Sequence, residues 1–254
     1  MTAPANGFKA ALLSGRATRG IWLNLASPLV AEMAGHAGFD WALVDAEHGP
    51  NGIGTIQAQL QALSATPTPA IVRLPMGEAW AIKQVLDLGA QSLMVPMVET
   101  ADEARAIVAA TRYPPDGIRG VGYGVARSGL WGMRADYAAT AGAEICVVAQ
   151  VESQRGLDAI DAIAAVDGID CVFVGPADLA ADMGHPGAPD HPEVTDAIDR
   201  AIARIAAAGK APGLFGLDPA HFVELERKGI RMLASACDAV LLSRAMRAVA
   251  GQGE

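Results

Sequence analysis

The chain has 254 residues, 52% of them apolar, a formal net charge of −9 and a pI near 5.0. That length and apolar content bury a substantial core and exclude a disordered or fibrous polypeptide. The acidic balance excludes nucleic acid and anionic membrane surfaces as general partners, since phosphate binding needs clustered Lys and Arg, and it points to a soluble, cytoplasmic protein.

Short β-rich runs alternate with longer helical ones. "GIWLNL" (20–25) leads into a helix starting near Ser27 and Pro28, a good N-cap followed by a residue suited to the first helical position. "DWALVDAE" (40–47) precedes a helix around 53–65, and "AIVRLP" (70–75) one around 78–88. "SLMVPMVE" (92–99) precedes "TADEARAIVAATR", where Thr100 and Glu103 are spaced as a capping box. "ICVVAQVE" (145–152), "DCVFVGPA" (170–177), "APGLFG" (211–216) and "RMLASA" (231–236) continue the rhythm, and "DAVLLSRAMRAVA" is the last helix. Eight βα units without a linker favour one α/β domain over residues 1–254, a closed (β/α)8 TIM barrel rather than an open doubly wound sheet.

The segment 113–137 breaks this rhythm. Its Gly120, Gly122 and Gly124 follow a helix rather than a strand, so they do not make a nucleotide-binding fingerprint, and the segment belongs near the base or side of the barrel. Cys146, Cys171 and Cys237 are odd in number and set among apolar residues, which reads as packing rather than disulfides or a zinc cluster. No apolar run of signal-peptide length opens the chain, and the longest uncharged stretch, 51–72, is broken by Asn51, glutamines and prolines, so no membrane span is expected.

A barrel places chemistry at the C-terminal ends of its strands, where apolar runs here end in ionisable or polar residues. They are Asp45, Glu47 and His48, then Arg73, Glu99, Gln150 and Glu152, with Asp178 just beyond the sixth strand. Glu152 and Asp178 end adjacent strands and suit a hard divalent ion, or else cap helices as ordinary acids. Arg73, inside an apolar strand, needs an anionic partner: a substrate carboxylate or oxyanion, or a structural bridge to Glu47 or Glu99. Gln150 shares a strand face with Glu152, either orienting a metal-bound water or filling space. His48 meets Asp45 if the chain turns at Gly49-Pro50, which would make it a general base; a metal ligand or an ordinary loop histidine are the other readings. His36 and His221 fall on helices and His185 and His191 in a loop, with a weaker claim.

The four lysines decide between two chemistries. Lys9 precedes the first strand, Lys83 and Lys228 lie on helices, and Lys210 stands before the seventh strand, at the wrong end of the barrel. No Schiff-base lysine is expected, which leaves metal-assisted chemistry.

"DAEHG", "AIVRLP", "MVPMVET", "YPPDGIRG", "AQVES" and "VFVGPADLA", in this order, resemble the HpcH/HpaI family of class II, metal-dependent pyruvate aldolases, over nearly the whole chain. The resemblance implies that Glu152 and Asp178 hold Mg²⁺, Mn²⁺ or Co²⁺, chelated by the carboxylate and ketone of a 2-oxo acid. The main-chain N–H groups of Ala177 and Asp178 would hold the carboxylate. It implies that Arg73 polarises the ketone and stabilises the enolate, that His48, oriented by Asp45, is the base, and that Glu47 supports the network. Trp22 joins Arg73, Gln150, Ala177 and Asp178 in binding substrate. A homohexamer, a trimer of dimers, is implied, with the last helix swapped onto a neighbouring barrel and Asp87 reaching across. The expected reaction is reversible cleavage of a 4-hydroxy-2-oxo acid into pyruvate or hydroxypyruvate and an aldehyde. A citryl-CoA or malyl-CoA type lyase, whose CoA-binding basic residues are not evident, and a non-catalytic 2-oxo-acid-binding barrel are the other readings.

Overall fold

The computed structural model describes residues 1–252. All eight expected strands form: β1 (Thr18–Leu23), β2 (Trp41–Asp45), β3 (Ala70–Arg73), β4 (Ser92–Val95), β5 (Cys146–Val151), β6 (Cys171–Val174), β7 (Ala211–Phe215) and β8 (Met232–Cys237). They pair in chain order, all parallel, and β8 closes on β1. The helix starts are as expected. Ser27 Oγ accepts the Val30 N–H at 3.3 Å, and the Thr100–Glu103 capping box is complete.

Period-two alternation divides the strand residues between two cores. Ala42, Val44, Val72, Val95, Val147, Ala149, Val172 and Val174 pack outward against the helices. Trp41, Leu43, Ile71, Met94, Cys146, Val148, Cys171, Phe173 and Met232 fill the barrel interior. Continuing each inward series toward the C-terminal rim gives Asp45 after Leu43, Arg73 after Ile71, and Gln150 then Glu152 after Val148. The alternation that builds the core thus delivers the charged residues to the mouth. Gly20 is required in β1 because any Cβ there would collide with the fully buried Trp41 indole.

Three local features depart from expectation. A helix, Gly7–Leu13, precedes β1 and plugs the base of the barrel: Phe8 and Leu12 join the interior core, and Phe8 meets Trp41 edge-on at 6.1 Å. Strand β4 stops at Val95 instead of running to Glu99, since Pro96 has no N–H for the ladder and Met97 takes a positive φ of 54°. Strand β2 stops at Asp45, leaving Glu47 and His48 in the turn beyond it. The segment 113–137 wraps the side and base as anticipated. Arg119 bonds Asp87, and Arg127 bonds the Leu88 carbonyl, at the end of the helix Ala79–Asp87. A further helix, Tyr137–Glu144, follows it before β5.

The last helix, Asp238–Val249, buries only Asp238 and exposes Leu241, Leu242, Met246 and Val249. Among the described residues no helix is long and apolar enough to cross a membrane. Cys146, Cys171 and Cys237 are buried free thiols.

Candidate active site

The mouth is organised around Arg73. Asp45 and Arg73 are register partners on β2 and β3. Arg73 Nε donates to Asp45 Oδ1 at 2.8 Å, and its Nη2 donates to Oδ2 at 2.7 Å, a two-pronged pair in which both side chains are buried. Its third nitrogen, Nη1, stands 2.7 Å from Glu47 Oε2, close enough for an ion pair but misaligned for a hydrogen bond. Burial alone would raise the Asp45 carboxyl. The Arg73 hydrogen bonds and charge, with the N–H groups of Glu47 and His48, outweigh it and hold Asp45 below the ordinary carboxylate range. Glu47 goes the other way, raised by burial against the opposing pull of Arg73.

The Asp45 contact with His48 differs from the expected one. Asp45 Oδ1 accepts the main-chain N–H groups of Glu47 at 3.1 Å and His48 at 3.3 Å, while Oδ2 takes the Asn24 side-chain amide at 2.6 Å. Among the described residues, no hydrogen bond joins Asp45 to the His48 ring. Arg73 and Asn24 engage the carboxylate oxygens, so Asp45 shapes the turn that presents His48, whose side chain is exposed at the rim. Glu99, weighed as a partner for Arg73, instead meets Arg155 at 3.1 Å and accepts the Ser153 hydroxyl at 2.7 Å.

Across the mouth stands Glu152, buried directly after β5. Its Oε1 accepts the Met97 main-chain N–H at 3.0 Å, and its Oε2 accepts the Gln150 amide at 2.6 Å. The positive φ of Met97 turns that N–H toward the carboxylate. Burial pushes Glu152 up to about 7; nearby Asp178 and Glu47 add to this, and the Met97 N–H opposes it. Gly175, following β6, is the cradle: a Cβ there would strike Glu152 Oε2 and lie 2.9 Å from the Glu152 Cβ. Asp178 lies in the first turn of the helix Pro176–Asp182 rather than at the strand end, next to Ala177. Main-chain N–H groups in such a turn have no carbonyl partner within the helix.

A buried carboxylate that resists ionisation, two more acids close by and a buried, unpartnered Gln150 Oε1 make a site short of positive charge. These all-oxygen donors fit a hard divalent cation such as Mg²⁺ or Mn²⁺, with Glu152 and Asp178 as its carboxylates.

Trp22, on β1, forms the floor beneath Arg73. The guanidinium lies 5.1 Å from its ring centroid, and Phe215 and Phe173 pack on the indole at 5.4 and 5.7 Å. Asp87 is not brought to this cluster. It ends a helix that runs from the mouth toward the base, where it pairs with buried Arg119 at 2.8 Å. Lys9 and Lys210 donate to the Ile145 and Ile169 carbonyls, just ahead of β5 and β6, and Lys228 pairs with Asp199 on the helix Pro192–Ala207. Two residues that serve the site were not singled out from sequence: Asn24, and Asp238, which holds the Asn24 and Leu25 N–H groups at 2.8 and 3.2 Å. Both follow strands directly, so the strand-end rule that found Arg73 would also have found them.

Fold and site together define a (β/α)8 barrel whose ionisable residues gather at the end where barrels of this class carry their chemistry. The profile of the HpcH/HpaI aldolase/citrate lyase family matches residues 18–245, and the chain belongs to that family. It is 49% identical to a hydroxypyruvate/pyruvate aldolase of Roseovarius nubinhibens, over 97% of this chain and 96% of the relative. It is 48% identical to a 4-hydroxy-2-oxo-heptane-1,7-dioate aldolase of Salmonella dublin, over 97% and 94% of the two chains. A crystal structure of an HpcH/HpaI aldolase/citrate lyase family protein from Burkholderia cenocepacia superposes with a TM-score of 0.94 at 42% identity, covering 98% of this chain and 99% of the other.

Proposed function

We propose that the chain is a class II aldolase that reversibly cleaves 4-hydroxy-2-oxo acids into pyruvate or hydroxypyruvate and an aldehyde. The observation that carries this is Arg73, fixed between Asp45 and Glu47 in the same mouth as Glu152, whose carboxyl burial raises. The relatives' names support cleavage to pyruvate over a coenzyme A-dependent lyase.

A divalent ion, Mg²⁺, Mn²⁺ or Co²⁺, held by Glu152 and Asp178 would supply a Lewis acid for the 2-oxo group. Gln150 keeps Glu152 Oε2 in place, and the Met97 N–H keeps Oε1. The N–H groups of Ala177 and Asp178 receive the substrate carboxylate. Arg73 faces the oxygen on which negative charge grows and stabilises the enolate, its own geometry fixed by Asp45. In the cleavage direction His48 accepts the proton of the 4-hydroxyl, the bond between C3 and C4 breaks, and the electron pair passes to the enolate, which is then protonated at C3. Trp22 and Phe215 exclude water from the reacting carbons.

The active unit is a homohexamer, a trimer of dimers, in a cytoplasmic setting. The uncovered apolar side chains of the last helix support a swap onto a neighbouring barrel, and Asp87, remote from its own mouth and held by Arg119, would serve another subunit's site.

Pyruvate release from a panel of hydroxy-oxo acids, before and after EDTA, tests this reading. Release on at least one substrate, abolished by chelation and restored by Mg²⁺, Mn²⁺ or Co²⁺, is expected. Full activity without metal would sink the class II assignment, and borohydride trapping of pyruvate on a lysine would replace it with Schiff-base chemistry.

A further inference from the structure

The loop between the helices Pro176–Asp182 and Pro192–Ala207 brings together a second set of ligating side chains. His185 and His191 lie face to face, ring centroids 3.6 Å apart and planes within 15°. Glu193, at the start of the following helix, sets its Oε2 2.7 Å from His185 Nε2, and its main-chain N–H donates to His191 Nδ1 at 3.3 Å. One ligand atom from each of the three lies within 4.8 Å of the other two, and among the described residues no other three His, Cys, Asp or Glu side chains converge in this way.

The backbone holds these groups in place. Pro186, Pro189 and Pro192 restrict φ, and Gly184 and Gly187 take φ of 85° and 78°. Consecutive turns follow: His185 N to Ala180 O at 2.7 Å, Ala188 N to His185 O at 3.0 Å and His191 N to Ala188 O at 3.0 Å. A tetrahedral ion with bonds of about 2.0–2.1 Å needs ligand atoms about 3.3 Å apart. Rotation of these partly exposed side chains supplies the remaining change without moving the loop.

The geometry points to a second divalent-metal site formed by His185, His191 and Glu193, selective for imidazole-seeking ions such as Zn²⁺, Co²⁺ or Ni²⁺ over Mg²⁺. Two nitrogens and one carboxylate are the donors such ions prefer, whereas Mg²⁺ takes oxygen. A fourth position stays open to water. The ion would tie the end of the helix carrying Asp178 to the start of the next. This site is independent of the aldolase reading and shares no ligand with Glu152 and Asp178.

The test is a Co²⁺ titration of the tag-free protein in excess Mg²⁺, above about pH 7 where an ordinary imidazole is neutral, following visible absorption and bound cobalt by equilibrium dialysis. Wild type is expected to take up one equivalent per chain, with the intense ligand-field bands of a low-coordinate, nitrogen-bound ion. Glu152→Gln should keep that equivalent. The double variant His185→Asn/His191→Asn should lose it, and Glu193→Gln, which leaves both rings in place, should weaken it. Bands that persist unchanged in the histidine and glutamate variants, or an equivalent that vanishes only in Glu152→Gln, would overturn the assignment.

Discussion

Arg73 is held by two acids, and what it does beyond pairing with them can be separated by substitution. Arg73→Ala strands a buried Asp45 charge and should cost about 3–5 kcal/mol of stability. Arg73→Lys keeps a charge beside Asp45 but not the two-pronged geometry. The lysine variant should therefore melt within a few degrees of wild type while kcat/KM for retro-aldol cleavage falls about 10²-fold. Unchanged kinetics would reduce Arg73 to a structural ion. Glu152 makes a different prediction because its folded carboxyl is raised from an ordinary 4.5 to about 7. Between those values the unfolded chain is ionised at Glu152 while the folded chain keeps its proton. Metal-free stability attributable to Glu152 thus falls as pH rises through that window, by on the order of 3 kcal/mol in all, and is level above it. Urea unfolding of metal-free wild type and Glu152→Gln at both ends of the window should show wild type losing ground to the variant. Parallel pH dependences would contradict the raised carboxyl.

At the level of elements, the strand-to-helix turn after β6 is as important as the strands. Gly175→Ala requires no change of φ, which is −92° here, yet its methyl would displace the Glu152 side chain. Calorimetry should find Mg²⁺ or Mn²⁺ affinity reduced at least about tenfold, with thermal unfolding shifted only slightly; wild-type affinity would mean that Glu152 is no ligand. The strands were legible in the sequence because short apolar runs between turn signals, most of them carrying Val or Ile, alternate with helical ones, and the inward series Leu43–Asp45 and Val148–Gln150–Glu152 follow from alternation alone. What alternation cannot supply is how a turn consumes a side chain. The separation of Asp45 from the His48 ring depends on which donors reach its oxygens first. Two of them, Asn24 and Arg73, arrive from neighbouring strands. The plug helix Gly7–Leu13 escaped for a related reason: seven residues give too little periodicity to read, and its role shows only where Phe8 meets Trp41.

For the whole molecule, the last helix stands uncovered, with residues 241–250 all exposed. Leu242→Glu/Met246→Glu should convert the proposed hexamer to smaller species by light scattering while leaving the far-ultraviolet circular dichroism spectrum unchanged; a hexamer that survives both charges would place the subunit contacts elsewhere. The rim itself has an unequal plan. Its charged groups that face the mouth lie on the side from β2 to β6, whereas β7, β8 and β1 contribute Phe215, Cys237 and Trp22, and the carboxylate of Asp238, just beyond β8, is taken up by the Asn24 and Leu25 N–H groups. A flat molecule anchored by its charged end to one arc lies with its two faces in unlike surroundings. A barrel wound in a single sense from L-residues would in this way pass its handedness to the carbon centre it creates.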